Sequence, residues 1–251
     1  AASDVYKRQE VYYYEIARGR PAAARSRLAA LRELRPELAD RLAVVDALYG
    51  DGDPSVAEQA AARVTARARG ASSVDDLCVQ SLWWAWQGET DRAAEGLASL
   101  RRPDGRSPAD SAHAANCAIL LDATLATTTS RPDARATVAR ADSMLRTGPP
   151  LPRVLSGGVA NLAVSRLLEA TGSAEAALAA ARRRPYWAPG TNHLVARSLE
   201  REGDLAASQG QEDAAIRAYI HYLALRSDPE AALAPQVQRV REALRRLQGA
   251  G

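Results

Sequence analysis

The residues that most often carry out catalysis are few in this chain and lie far apart. Histidine occurs only at His113, His193 and His221, a spacing that matches no zinc-protease or other metal-ligand motif. The only lysine is Lys7, so the remaining chain has no lysine for a phosphate-binding loop or a Schiff base. The sequence also lacks a Gly-x-Ser-x-Gly elbow and a Cys-x-x-Cys pair. We therefore expect a non-enzymatic protein without catalytic residues, cofactor or bound metal.

The two cysteines, Cys78 and Cys117, lie 39 positions apart, and both fall in patterns typical of helices. Buried cysteine behaves as a small apolar residue. We therefore interpret the pair as two buried free thiols, in preference to a disulfide or a metal site.

The densest aromatic cluster is formed by Trp83, Trp84 and Trp86. Consecutive residues of a helix diverge by about 100°, so the three indoles do not all face one core. One interpretation is that all three fill gaps between helices, because the chain contains no phenylalanine. The other is that Cys78, Leu82 and Trp86 line a peptide-binding groove, because tryptophan is a frequent anchor of interfaces.

A second candidate site is a basic and aromatic patch made of Arg182, Arg183, Arg184, Tyr186 and Trp187. Such residues can stack on bases or clamp an acidic tail. Arginines at the end of a helix more often complement its negative dipole end, and this is the interpretation we favour.

Composition and charge narrow the class of partner. The chain is 47% hydrophobic and 25% charged, as in ordinary globular proteins. Its formal net charge is only +3, which argues against nucleic-acid binding. No apolar run is long enough to span a bilayer. We expect a protein or peptide partner and a cytoplasmic location, and the oligomeric state stays open.

The first residues have a separate origin in our interpretation. Residues 4–9 resemble the translation of a transposon-end adapter used in sequencing libraries, so residues 1–9 are expected to be an artefact and a disordered tail. The rest is then interpreted as a fragment of bacterial, metagenomic origin, in which alanine and arginine are abundant because the genome is GC-rich.

Helical signals dominate the rest of the chain. Segments of about 12 to 20 residues rich in alanine, leucine and arginine are separated by glycine and proline, and strand signals are missing. Ser107 and Asp53 are predicted N-caps, each followed by proline. The predicted helix stops are Gly19, Gly88, Gly172 and Gly210. These patterns predict an all-α fold.

The helical segments repeat. A turn glycine precedes an alanine by five positions at Ala24, Ala93 and Ala215, and large apolar residues follow that alanine by four and seven positions. Turn glycines at 19, 52, 88, 172 and 210 are separated by 33, 36, 84 and 38 residues. The longest gap leaves room for a degenerate unit around Ala134. Six helical pairs follow from this count.

The repeats resemble the tetratricopeptide (TPR) family. The best single match runs from Leu199 to Pro229, with Gly203, Ala206, Gly210, Ala215 and Tyr219 at family positions. The middle gaps exceed the usual 34 residues, and Ala206 replaces the commoner aromatic residue. The resemblance implies a right-handed α-solenoid of about six antiparallel helix pairs in one domain, 10–251, which is most degenerate at 104–190. A capping helix at about 230–248 is predicted to close it.

This fold class predicts function only in outline. The resemblance implies a scaffold for protein–protein interaction that binds a peptide or protein segment on the concave face of the array. The alternative is a sensory or regulatory region of a larger bacterial kinase or transcriptional regulator, because the last helices resemble the C-terminal repeat region of such signalling proteins.

Overall fold

The computed structural model describes residues 2–68, 73–102, 106–147, 151, 153–155, 158–184 and 194–249, and these contain no strand. Their thirteen α-helices are α1 Ala2–Ala17, α2 Pro21–Arg32, α3 Pro36–Tyr49, α4 Pro54–Ala68, α5 Val74–Gln87, α6 Thr90–Arg101, α7 Pro108–Thr128, α8 Ala134–Arg146, α9 Gly158–Ala170, α10 Ala174–Arg182, α11 Val195–Ser208, α12 Glu212–Leu225 and α13 Ala234–Gly249. Two short 3-10 helices, Arg153–Leu155 and Ala231–Leu233, complete the fold.

The helices form six consecutive pairs. The first member of each pair packs most extensively on the second, from α1 with α2 through to α11 with α12, and α13 packs against α12. Each pair also contacts the next, as expected for repeats that cover one another's apolar faces. The predicted all-α, solenoid-like array with a closing helix is confirmed.

The turns within the pairs explain the spacing of the repeats. The four predicted stop glycines have positive φ angles, of 75° at Gly19, 78° at Gly88, 78° at Gly172 and 70° at Gly210. Glycine adopts this conformation without steric cost and closes the first helix of a pair. The alanine five positions later is buried in the second helix, at Ala24, Ala93 and Ala215. The predicted spacing between the turn glycine and the buried alanine of each repeat is therefore confirmed.

The degenerate middle of the chain follows the same plan. The Ser107 hydroxyl accepts a hydrogen bond from the Asp110 amide at 3.1 Å and caps α7. Helix α8 then buries Ala134, Val138 and Ala141. The predicted degenerate unit is thus a true helical pair, α7 with α8.

The structure extends helix α1 back to Ala2. Gln9 is buried, and its side-chain amide donates to the Tyr13 hydroxyl one turn later. Residues 4–9, which the sequence interpretation sets aside as a tail, are therefore a continuous part of α1 in the structure.

A disulfide joins Cys78 of α5 to Cys117 of α7. The expectation of two free thiols is wrong. Helices α5 and α7 pack side by side, and they bring the two Cα atoms to 5.9 Å, within the range that a disulfide spans. Both residues are fully buried, so the bond links the third and fourth pairs inside the core.

The first helices of the middle pairs form the centre of the molecule. Helices α3, α5, α7 and α9 contact one another in sequence, and α3 also touches α9 and the 3-10 helix Arg153–Leu155. Eight of the fourteen residues of α3 and nine of the fourteen of α5 are buried. Helices covered on most sides leave little surface for a partner. The array is therefore closed on its inner side, where the sequence predicts an open concave face.

The two ends of the array also meet. The Glu230 amide donates to the Gly19 carbonyl at 2.9 Å. The Glu230 carboxylate accepts from the Ala22 amide at 2.7 Å and the Ala23 amide at 3.1 Å, and so caps α2 from across the molecule. We call this region of contact between the early and the late pairs the closure seam. It consists of segments 19–23 and 48–52 and of the residues in later pairs that contact them.

The closure seam includes the end of α3. The Arg166 guanidinium, on α9, donates to the carbonyls of Leu48 at 2.9 Å and Tyr49 at 3.0 Å. These carbonyls belong to the last turn of the helix, where intrahelical donors are lacking. Burial lowers the pKa of Arg166 and raises that of Tyr49 to about 12. Arg166 of α9, in the fifth pair, therefore caps the C-terminal end of α3, in the second pair.

Candidate functional site

The three tryptophans differ in their environment. Trp83 is buried, Trp84 is half-buried, and Trp86 is 49% exposed. The rings of Trp83 and Trp86 lie 5.2 Å apart between centroids. The interpretation that all three indoles fill gaps in the core therefore fails for Trp86, because half of its side chain faces solvent.

A groove of about 460 Å³ runs beside these indoles. It lies among α4, α5 and the first turn of α6, and its walls include Glu58, Thr65, Trp83, Trp84 and Arg92. The Arg92 guanidinium lies 5.6 Å from the Trp84 ring centroid and also pairs with Glu89. Arginine over an indole fixes the aromatic face through a cation–π contact. The groove and the neighbouring Trp86 are called the tryptophan surface below.

Two of the predicted groove residues belong to the core. Cys78 and Leu82 are 0% and 1% exposed. Both lie on a covered side of α5, where Cys78 is bonded to Cys117 of α7. Of the predicted peptide-binding set Cys78, Leu82 and Trp86, the structure leaves only Trp86 accessible.

The predicted basic patch is largely engaged within the molecule. Arg182 and Arg184 both pair with Glu202 of α11. Arg183 pairs with Asp142 of α8 and donates to the Asn161 amide oxygen at 2.9 Å. These arginines join α10 to α8 and α11 through ion pairs. The interpretation that they complement the negative dipole end of α10 stays a prediction. Tyr186 and Trp187 lie outside the described residues.

Buried aspartates surrounded by arginines recur along the array, and the sequence interpretation did not identify them. Asp40 of α3 pairs with Arg32, Arg63 and Arg67. Asp122 of α7 pairs with Arg101, Arg131 and Arg140. Both carboxylates are almost fully buried, and each pairs with arginines of adjacent helices or turns. The available signal was an aspartate within an apolar helical stretch, as at Asp122.

Neither a metal site nor a membrane-spanning helix is found in the described part of the chain. Across the portion of the chain that the structure describes, no cluster of three or more His, Cys, Asp or Glu residues is placed to hold a metal ion. Within the same portion, no helix combines the length and the apolar character required to cross a membrane. The accessible features that remain are surface grooves.

Comparisons with known proteins were made at the level of sequence and of structure. Models of protein families, curated proteins and solved structures yield no match to this chain. The resemblance to the TPR family therefore depends on the repeat pattern of the residues and on the pairing of the helices.

Proposed function

We propose that this protein is a non-enzymatic, TPR-like helical-repeat scaffold that binds a peptide or protein segment at the tryptophan surface. The observation that carries the proposal is the exposure of Trp86, at 49%, beside a groove lined by two further indoles. Tryptophan and arginine are enriched among the residues that dominate binding energy at interfaces. The tryptophan surface presents both types together.

The geometry of the groove suits an extended segment. One wall is α4, which contributes small residues such as Ala61, Ala62 and Ala66, and the other is α5 with its indoles. Small residues permit close approach of a bound chain, and flat aromatic rings supply apolar contact area at low entropic cost. The groove is formed by helices that are held by their own core, so it needs little ordering before binding.

The proposed site differs from the concave face that the family resemblance implies. Helices α3, α5, α7 and α9 cover one another, so a partner has no open channel along them. Trp86 is the next-to-last residue of α5 and precedes the turn at Gly88. A partner at the tryptophan surface would therefore contact the array near a helix end.

Affinity capture from a lysate of a GC-rich bacterium, followed by mass spectrometry, tests this proposal. We expect a protein captured by the unmodified chain to be lost with Trp86→Ala. Truncation of this half-exposed indole removes its contact with the Trp83 ring and should lower the free energy of unfolding by about 1 kcal/mol, which leaves the chain folded. The matched control is Ile220→Ala, which truncates another exposed apolar residue, 45% exposed on α12. Equal capture by Trp86→Ala and the unmodified chain would refute the proposal.

A second candidate function is the sensory or regulatory one, and a cavity at the closure seam favours it. This cavity of about 280 Å³ lies among α1, α2, the turn before α4 and the segment that includes Leu233. The apolar part of the cavity wall includes Tyr12, Ile16 and Leu28. A small molecule bound there would contact both ends of the array and stabilise the closed form. Screening small apolar compounds for a saturable rise in melting temperature tests this function.

A further inference from the structure

A second groove lies at the opposite end of α6 from the tryptophan surface. It has a volume of about 490 Å³ and is enclosed by the last turn of α6, the first turns of α7 and one residue of α8. Helix α6 has twelve residues and is therefore about 18 Å long. The groove is thus spatially separate from the tryptophan surface, and we call it the arginine cleft.

Four arginines line the arginine cleft, namely Arg101, Arg102, Arg106 and Arg140. None of the described lining residues is acidic. The nearest carboxylate in the ion-pair network is Asp122, which is 4% exposed and already accepts from Arg101, Arg131 and Arg140. Arg131 is also balanced by Asp133. Among the described residues, Asp122 is thus the one carboxylate paired with any of the four arginines of the cleft, which leaves an excess of positive charge. Asp104 lies outside the described residues.

Several guanidinium donors of the cleft are available to a ligand. Arg101 and Arg140 each donate only one Nη2 to Asp122, at 2.7 and 3.0 Å. The Arg102 side chain is exposed and has no ion pair within the described part of the chain. Guanidinium groups with free N–H donors bind carboxylates in planar, charge-assisted pairs. The cleft can therefore accept an anionic head group.

Arg106 has a different role. Its two Nη atoms donate to the carbonyls of Ser99, Leu100 and Arg102 at 2.9 to 3.0 Å, at the end of α6. These bonds cap the helix and fix the guanidinium in place. Arg106 thus holds one wall of the cleft rigid and adds a stationary positive charge to it.

The floor of the cleft is apolar. Leu100, Ala115, Ala118 and Ile119 line it between the arginines. Ala115 is exposed and Ile119 is half-buried, so this surface is open to a ligand. Contact between such a surface and the methylene groups of a ligand is favourable because it removes apolar area from water.

We infer that the arginine cleft binds a medium-chain aliphatic carboxylate, with its head group on Arg101, Arg102 and Arg140 and its alkyl chain over Ala115 and Ile119. A purely inorganic anion would leave the apolar floor exposed, and an uncharged alkyl chain would leave the guanidinium donors unused. The combination of both surfaces within one cleft favours a ligand that has a charged end and an apolar body.

Equilibrium dialysis with labelled octanoate tests this inference on the full chain. We expect saturable binding at one site per molecule. Arg102→Glu should weaken binding by about tenfold or more, because it removes a charge-assisted hydrogen bond and adds repulsion. Ala115→Phe should weaken it similarly by filling the exposed floor. Arg27→Glu is the matched control, since Arg27 is likewise exposed and has no ion pair among the residues described. The Arg27→Glu chain should bind octanoate with the affinity of the unmodified chain.

Further ligands and variants give the outcomes that would overturn the inference. Octanol should bind about tenfold more weakly than octanoate, and inorganic phosphate should not displace octanoate at equal concentration. Absence of saturable octanoate binding, equal affinity for octanol, or unchanged affinity in a folded Arg102→Glu chain would each refute the site. Trp86→Ala should retain octanoate binding, so failure here is distinguishable from failure of the proposed scaffold function.

Discussion

The guanidinium of Arg226 pairs with the carboxylate of Asp51, which precedes it by 175 positions in the chain. Both side chains are almost fully buried, at 1% and 2% exposure. Arg197 of α11 pairs with the same carboxylate. The link joins the turn after α3 to the end of α12, and it is therefore the central ion pair of the closure seam.

We predict that Asp51→Ala destabilises the protein by about 3–5 kcal/mol, because the buried Arg226 guanidinium loses its carboxylate partner and Arg197 keeps only Glu200. The free energy of unfolding from urea denaturation measures this loss. The control is Glu89→Ala, which breaks the exposed Glu89–Arg92 pair and should cost at most about 1 kcal/mol.

A second variant separates buried charge from lost packing at the closure seam. Replacing all three charged residues, as Asp51→Leu, Arg197→Met and Arg226→Met, should recover most of the stability lost in Asp51→Ala, since no unpaired charge remains. If Asp51→Ala costs no more than the Glu89→Ala control, the pair does not hold the ends of the array together.

The disulfide between Cys78 and Cys117 should contribute to the stability of the fold. It closes a loop of 39 positions between Cys78 and Cys117, and a cross-link of this length stabilises a fold by about 4 kcal/mol in the chain-entropy model. Reduction with dithiothreitol should therefore lower the urea midpoint of the unmodified chain. The Cys78→Ala, Cys117→Ala double variant should show a low midpoint that dithiothreitol does not change.

The same experiment reports whether the two cysteines are linked. Disulfides persist mainly in oxidising compartments, and the cytoplasmic location expected from the sequence stays a prediction. A midpoint that is identical with and without reductant in the unmodified chain would show that Cys78 and Cys117 are not linked in solution.

Local features of the fold were predictable from sequence. The stop at Gly88, the cap at Ser107 and the buried positions Ala93 and Ala215 all follow from glycine conformation, hydrogen-bond capping and helical periodicity. Each of these signals involves residues within a few positions of one another. The repeats of the array can therefore be predicted from local sequence patterns alone.

Long-range features were not predictable in the same way. The Arg226–Asp51 pair and the Cys78–Cys117 bond depend on how successive pairs rotate relative to one another, and no local periodicity encodes that rotation. The misassignment of Leu82 has the same origin, because the packing of α5 against its neighbouring helices decides which of its sides are buried. The divergence of neighbouring helical residues predicts that at least one of the three indoles leaves the core, but not which one; in the structure it is Trp86.

Alkaline pH should destabilise the protein through buried tyrosines. Burial raises the pKa of Tyr222 from 10 to about 12, and the neighbouring Glu200 carboxylate adds to the shift. The folded state therefore favours the neutral phenol, so this stability is complete below pH 10 and is lost as the pH rises from 10 towards 12. At pH 11 the loss due to Tyr222 should be about 1 kcal/mol.

The free energy of unfolding, measured by urea denaturation at each pH, checks this. In Tyr222→Phe it should fall by about 1 kcal/mol less than in the unmodified chain. In Tyr14→Phe, at a site 56% exposed, it should fall as much as in the unmodified chain. An equal decline in Tyr222→Phe and the unmodified chain would show that this phenol is accessible to water in solution.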